Sequence, residues 1–308
     1  VPLKSNPTIN QEKINMKICS YNNALPGLVE GDLVYPLADA LSAVGATRVG
    51  ASMAEVFDAL SNSTKAKDAI AQARLGKGLP LSSVQLKSPL DNPPAIWAAA
   101  SNYRAHQAEM IERVGSYDRS QFSPDELMAE VFLKPTSALV GPGGTVILPK
   151  IAKHVDFECE LCAVIGKEAR NVSEEHALDY VYGYTMCWDI SVRDPWGRKH
   201  NTRNIRKGFD TFCGVGPWVV TADEIGEPQD LHIHVEQNGK TVMTAHTADM
   251  VNGLRALIRF LSSVTTLKPG TLITTGTPAG VSQLAHGDLL NGTISKIGEM
   301  KLHVIDQA

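Results

Sequence analysis

Several features that would mark a particular class of protein are missing from this 308-residue sequence. Positive charge is not in excess: 29 Lys and Arg stand against 33 Asp and Glu, a formal net charge of −4. That removes the electrostatic reason to expect a nucleic-acid partner. No apolar run reaches the length of a membrane span, and the first residues are polar rather than signal-like, so the expectation is a cytoplasmic protein with no membrane contact. The five cysteines (Cys19, Cys159, Cys162, Cys187 and Cys213) are odd in number and lack the spacing of a disulfide framework. Cys159 and Cys162 form Cys-x-x-Cys, but inside an apolar stretch and without a second pair, so they read as buried reduced thiols rather than a zinc or redox site. The run Gly141-Pro-Gly-Gly144 is not followed by Gly-Lys-Ser/Thr, which rules out a phosphate loop. Nothing repeats at a solenoid period.

What is present suits an ordinary globular chain, with 43% hydrophobic and 20% charged residues. The length accommodates one large domain and a small one. Residues 1–15 are polar and aperiodic, a leader or loosely docked tail. From Met16 to Pro36 short apolar runs around Asn22-Asn23 and Gly31-Asp32 read as a small β-meander. Ala- and Leu-rich helical stretches follow at 37–44, 52–60 and 63–75. The Ser-, Asp- and Pro-punctuated segment 80–94 then marks a boundary. The expected division is a small α+β N-terminal domain over 1–90 and a mainly β domain over 91–308. In the second domain, Asn238-Gly239 sits between two alternating runs and predicts a hairpin. His232 and His234 share a strand face there and are read as solvated or structural. The charged segment 110–130 has the composition of a lid.

The chemistry concentrates between His154 and Asp189. Asp156, Glu158 and Glu160 alternate with Phe157, Cys159 and Leu161, the period of a strand, so Glu158 and Glu160 share a face roughly 7 Å apart. Glu-x-Glu alone equally fits a solvated strand face. Asp189, closing the apolar run Val181-Tyr-Gly-Tyr-Thr-Met-Cys-Trp, adds a third carboxylate, and three carboxylates without a His pair form a hard-oxygen set for Mg²⁺ or Mn²⁺. His106 and Glu109 are spaced i, i+3 on a helical turn, where imidazole and carboxylate can meet, although such pairs are usually surface contacts. The basic run Lys199–Lys207 is a solvated loop or, beside an acidic metal site, a binder of substrate carboxylates.

Seven motifs occur in order: Asn102-Tyr103-x-x-His106-x-x-Glu109, Phe132-Leu-Lys-Pro135, Glu158-x-Glu160, Val164-Ile-Gly-Lys167, Asp189-x-x-x-Arg193-Asp194, Lys207-x-Phe209 and Thr275-Gly-Thr-Pro-x-Gly280. Together they resemble the fumarylacetoacetate hydrolase superfamily, which includes acylpyruvate hydrolases, and the opening 16–36 is similar to the small N-terminal domain of many bacterial members. The resemblance implies a β-roll or β-sandwich catalytic domain, a homodimer, and one Mg²⁺ or Mn²⁺ held by Glu158, Glu160 and Asp189. It also implies His106 and Glu109 as a catalytic dyad on a lid, Lys207 beside the metal, and Tyr103, Arg193 and Thr277 at the substrate. The implied reaction is hydrolysis of the C–C bond of a 2,4-diketo acid such as fumarylpyruvate or maleylpyruvate, in catabolism of aromatic or related compounds. One departure stands out: relatives often carry Gln where this chain has Trp196, and an indole only donates where an amide also accepts. Trp196 is therefore a candidate substrate contact of altered specificity. The alternatives within the superfamily are an oxaloacetate-type decarboxylase and a 2-hydroxydienoate isomerase. Outside it, the alternative is a non-catalytic binding protein on the same fold.

Overall fold

The computed structural model describes residues 16–194 and 202–308. The leader expected over 1–15, the contact expected of Trp196 and the first residues of the basic run lie outside them. The chain is mixed α/β and mainly sheet. One large sheet runs, in spatial order, through Leu33–Pro36, Leu25–Glu30, Lys17–Tyr21, Cys213–Thr221, Val181–Asp189, Cys159–Ile165, Leu272–Thr274, Ile96–Ala98 and Phe132–Leu133. A second sheet of five strands has the order Lys240–His246, His232–Gln237, Leu289–Ile294, Gly298–Asp306, Thr145–Leu148. The sandwich expected from the resemblance is therefore present.

The central strands Cys159–Ile165 and Val181–Asp189 are buried along their whole length. Two cores explain why. On one face Phe157, Leu161, Met186 and Trp188 meet Ile233, Val235, Leu290 and Leu302 of the five-stranded sheet and Leu257, Ile258 and Leu261 of the helix Leu254–Val264. On the other face Cys162, Val164, Cys187 and Val215 meet Phe57, Ile70 and Leu41 of the helices Met53–Asn62, Ala66–Arg74 and Ala38–Ala43. A strand covered on both sides needs no polar alternation. Carboxylates that remain in it must then be held by partners.

Local signals acted as expected in several places. The meander folds as three strands turning at Gly31, whose φ of +54° suits a residue without Cβ. Asn238 and Gly239, both at positive φ, close the hairpin of His232–Gln237 with Lys240–His246. The five cysteines are buried and unpaired. The division expected near residue 90 is not a break in hydrogen bonding, because Lys17 and Ile18 pair with Val220 and Val219. The strand after Lys268 is shorter than its apolar run, Leu272–Thr274, because Thr275–Gly280 leaves the sheet to form part of the site. Among the described residues, no helix is long and apolar enough to cross a membrane.

Candidate active site

The antiparallel register of the two central strands builds the acidic cluster. Cys159 faces Trp188 and Glu160 faces Cys187, and the Asp189 N–H donates to the Glu158 carbonyl at 2.8 Å. Glu158, Glu160 and Asp189 thus project from one face, with a carboxylate oxygen of each within 4.8 Å of the others. All three are buried, so the solvated-face reading of Glu-x-Glu does not hold.

Cations compensate this burial. Lys207 Nζ bridges Glu158 Oε2 at 2.8 Å and Asp189 Oδ2 at 2.6 Å. Lys134 Nζ donates to Asp189 Oδ1 at 2.5 Å and to the Lys207 carbonyl at 2.6 Å. Arg193 donates through Nη2 to Glu158 Oε1 at 2.5 Å and through Nε to Asp156 Oδ2 at 3.2 Å. The basic segment ending at Lys207 is therefore not a solvated loop where it is described: Arg203–Arg206 is a short helix that delivers Lys207 into the acidic cluster.

The two glutamates respond in opposite ways. Burial alone would raise Glu158, but the charges of Lys207, Arg193 and His106 outweigh it and hold the carboxyl well below its ordinary range. Burial pushes Glu160 well above that range, and repulsion from Asp189 and Glu158 adds to it. Its Oε2 accepts the Gly276 N–H at 2.7 Å, while Oε1 is buried without a partner. Burial also lowers Lys207, against the upward pull of Asp189 and Glu158. A hard-oxygen set with one orphaned buried oxygen and one protonation-prone carboxyl fits a divalent cation, which supplies the charge that Glu160 lacks.

His106 and Glu109 come together as the i, i+3 spacing requires. On the helix Arg104–Val114, His106 Nδ1 lies 3.0 Å from Glu109 Oε2, and Glu109 Oε1 accepts the Gly280 N–H at 2.9 Å. Gly280 has φ +110°, and a Cβ there would come within 2.5 Å of the Val242 carbonyl oxygen, so this contact depends on glycine. The helix is tied to the site at its other end, where Arg113 donates to Asp156 Oδ2 at 3.1 Å and to the Val281 carbonyl at 2.9 Å. The segment expected to be a lid forms a wall: Arg104 donates to the carbonyls of Arg119 and Phe122, and Ser123 caps the helix Pro124–Met128.

These elements enclose a cavity of about 580 Å³ whose wall includes His106, Glu158, Arg193, Lys207 and Thr277. Thr277 Oγ1 lies 3.2 Å from the Cys159 carbonyl and 3.3 Å from the Pro278 carbonyl, either of which can accept its proton. Tyr103 is not part of this wall. Its ring is buried in the core, 1% exposed, its hydroxyl is without a partner, and burial pushes the phenol up. Trp196 is outside the described residues.

Sequence reasoning gave no role to Lys134, Asp156 or Gly276. Each left a trace: Lys134 is a lone cation between Phe-Leu and Pro, Asp156 shares the alternating face of Glu158, and Gly276 belongs to the Gly-Thr-Pro turn. Asp156 is fully buried and accepts from Arg113 and Arg193, with His154 Nε2 3.1 Å from its Oδ1, so it couples the dyad helix to the acidic cluster.

Comparison with known proteins gives consistent findings. The sequence pattern of the family described as fumarylacetoacetate (FAA) hydrolase C-terminal matches residues 95–305. A maleylpyruvate hydrolase of Aquipseudomonas alcaligenes is 36% identical over 296 residues, covering 94% of this chain and 99% of that protein. An oxaloacetate tautomerase of Xenopus laevis is 37% identical over 233 residues, 73% of this chain and 69% of that one. The crystal structure of maleylpyruvate hydrolase from Sphingobium sp. SYK-6 in complex with manganese(II) ion and pyruvate superposes with a TM-score of 0.78 at 32% identity, covering 95% of this chain and 100% of that one.

Proposed function

The chain belongs to the fumarylacetoacetate hydrolase family, and from that premise we propose that it is a divalent-metal-dependent hydrolase of 2,4-diketo acids, cleaving an acylpyruvate to pyruvate and a carboxylic acid. One observation carries this reading: His106, paired with Glu109, and Glu158, part of the Glu158–Glu160–Asp189 cluster, line a single cavity. Similarity to maleylpyruvate hydrolases along nearly the whole chain supports maleylpyruvate or fumarylpyruvate as substrate, and the manganese complex supports Mn²⁺ or Mg²⁺ as the ion.

The chain's residues account for the steps. Glu109 accepts the Nδ1 proton of His106 and leaves Nε2 as the acceptor facing the cavity. Nε2 takes a proton from a water molecule, whose oxygen attacks the acyl carbonyl. The C–C bond then breaks, its electron pair passes to the pyruvate fragment as an enolate, and a proton returned to that carbon completes pyruvate and a carboxylic acid. Lys207 and Arg193 line the cavity where negative charge gathers, and fixed positive charges in a buried site stabilise it strongly. A divalent ion bound at the three carboxylates supplies Lewis acidity toward the 2-oxo acid end of the substrate. The homodimer implied by the resemblance and the cytoplasmic location expected from the sequence belong to this reading, and light scattering and cell fractionation check them.

A second reading is favoured by the tautomerase relative: the same cluster and dyad acting on an oxaloacetate-type acid without water attack. The deciding experiment offers acetylpyruvate, fumarylpyruvate, maleylpyruvate and oxaloacetate in parallel with Mg²⁺ or Mn²⁺, following pyruvate, carbon dioxide, the enol form and the second acid. Release of pyruvate with a carboxylic acid from a diketo acid is the expected result. Turnover of oxaloacetate alone would overturn water activation by His106.

A further inference from the structure

Five cationic side chains among the described residues line the cavity, and four are already matched to carboxylates. Arg193 rests on Glu158 and Asp156, and Lys207 on Glu158 and Asp189. Arg119 and Arg203 share Glu130, at 2.6 and 3.1 Å. Arg206 is the fifth, and among the described residues no carboxylate lies within ion-pair distance of it. The residues outside the description contain one acid, Glu12, and none between 195 and 201.

This imbalance is not incidental to the site. Arg206 is partly buried; a guanidinium partly withdrawn from water without a counter-charge is costly, and its planar fork is shaped to take a carboxylate through two hydrogen bonds. Burial, then repulsion from Arg193 and Arg203, pushes Arg206 down to about 9, still cationic at neutral pH, and Glu158 and Asp189 only partly oppose this. A divalent ion at the acidic cluster makes the shortage of negative charge larger, since Glu158 and Asp189 are already matched by Arg193, Lys207 and Lys134. An anionic group of the substrate would match it. The 2-oxo acid end brings one carboxylate to the cluster, which leaves Arg206 for another.

We propose that Arg206 receives a second carboxylate of the substrate, beyond the 2-oxo acid end, and so selects diketo acids with two carboxylates over those with one. The identity of the substrate here rests on the hydrolase reading, but the selection is a binding property and can be measured without turnover. The test uses Mn²⁺-loaded full-length protein and calorimetric binding of two seven-carbon probes, 2-oxoheptanedioate and 2-oxoheptanoate, which differ only in a terminal carboxylate or methyl.

Wild type is expected to bind the diacid about tenfold or more tighter, the scale of one charged hydrogen-bonded contact. In Arg206→Gln the preference should fall to within about threefold, and in Arg206→Lys, which keeps the charge but loses the fork, it should fall partway. If Arg206→Gln does not fold, as judged by melting, Arg206→Lys carries the test through its partial fall. The proposal is overturned if wild type shows no diacid preference or if a folded variant keeps it in full. It is equally overturned if both probes lose affinity alike, since Arg206 would then serve the shared end. Failure of the hydrolase reading looks different: no diketo acid releases pyruvate, while the diacid preference and its loss in Arg206→Gln remain.

Discussion

Glu160 is the residue at which an ion and the protein's own charges compete most directly. Without a cation, its raised folded value means that the folded chain holds a proton the unfolded chain has released, so stability falls as pH rises from the ordinary 4.5 through that raised value. Glu160→Gln removes the repulsion with Asp189 and Glu158. The metal-free variant should melt no lower than wild type at pH 8 and show a flatter dependence on pH, followed by circular dichroism. The same variant should fail to respond to Mn²⁺, whereas wild type at about 100 times the dissociation constant should gain about 2.7 kcal/mol. A comparable Mn²⁺ response from Glu160→Gln would remove the residue from the ligand set. For the dyad, His106→Ala should lower kcat by about 10²–10⁴, the range of lost general-base assistance, with Mn²⁺ binding retained by calorimetry. At this scale the sequence was legible where residue type and spacing dictate chemistry, as for Glu158, Glu160, Asp189, His106 and Glu109. It gave no role to Lys134 and Asp156, whose contacts with Asp189 and Arg193 join residues 55 and 37 positions apart along the chain and form only in the folded structure.

Among the elements, the helix Met53–Asn62 shows how much a short pattern can specify. Ser52 accepts the Glu55 N–H, Glu55 accepts the Ser52 N–H, and Arg48 Nε holds the same carboxylate at 2.8 Å. The hydrogen bond from Arg48 and then those from Ser52 hold Glu55 down to about 2. A depressed carboxyl contributes its stability above its ordinary value and loses it as pH falls through the folded value. The deficit in melting temperature of Glu55→Gln should therefore be present at pH 7 and close between pH 4.5 and 2. Because the pair is exposed, added salt should shrink it as well. Close strand contacts give a harder limit. A Cβ on Gly183 would lie 2.2 Å from the Val220 carbonyl oxygen of the neighbouring strand. Gly183→Ala must displace backbone there, and a loss of about 1–3 kcal/mol is expected by urea denaturation. The Cys159–Ile165 strand was visible from its alternation, yet its burial on both faces was not, because burial depends on what the other sheet and the helices cover.

For the molecule as a whole, the important fact is that the N-terminal strands belong to the same large sheet as the strands carrying the acidic cluster. Ile18 and Leu28 share a core with Cys162, Cys187, Val215 and Leu272. Scanning calorimetry should show one cooperative transition, and a chain shortened to begin at residue 91 should aggregate rather than fold, since it would expose the edge of Cys213–Thr221 and that core face. Two separate transitions, or a soluble folded truncation, would show that 1–90 and 91–308 are energetically independent. The seven motifs that revealed the family lie between residues 102 and 280, and they say little about this coupling because it is carried by ordinary aliphatic side chains.

The strand Gly298–Asp306 lies between Leu289–Ile294 and Thr145–Leu148, and among the described residues it is the only strand that pairs with Thr145–Leu148. A ribosome adding about 5–20 residues per second needs on the order of ten seconds or more to travel from one of these partners to the other. For that interval the earlier strand waits with its hydrogen-bonding groups open to water, to chaperones and to neighbouring nascent chains. Two of its own residues, Val146 and Leu148, are apolar, so crowding of nascent chains during synthesis leaves this strand open to mispairing.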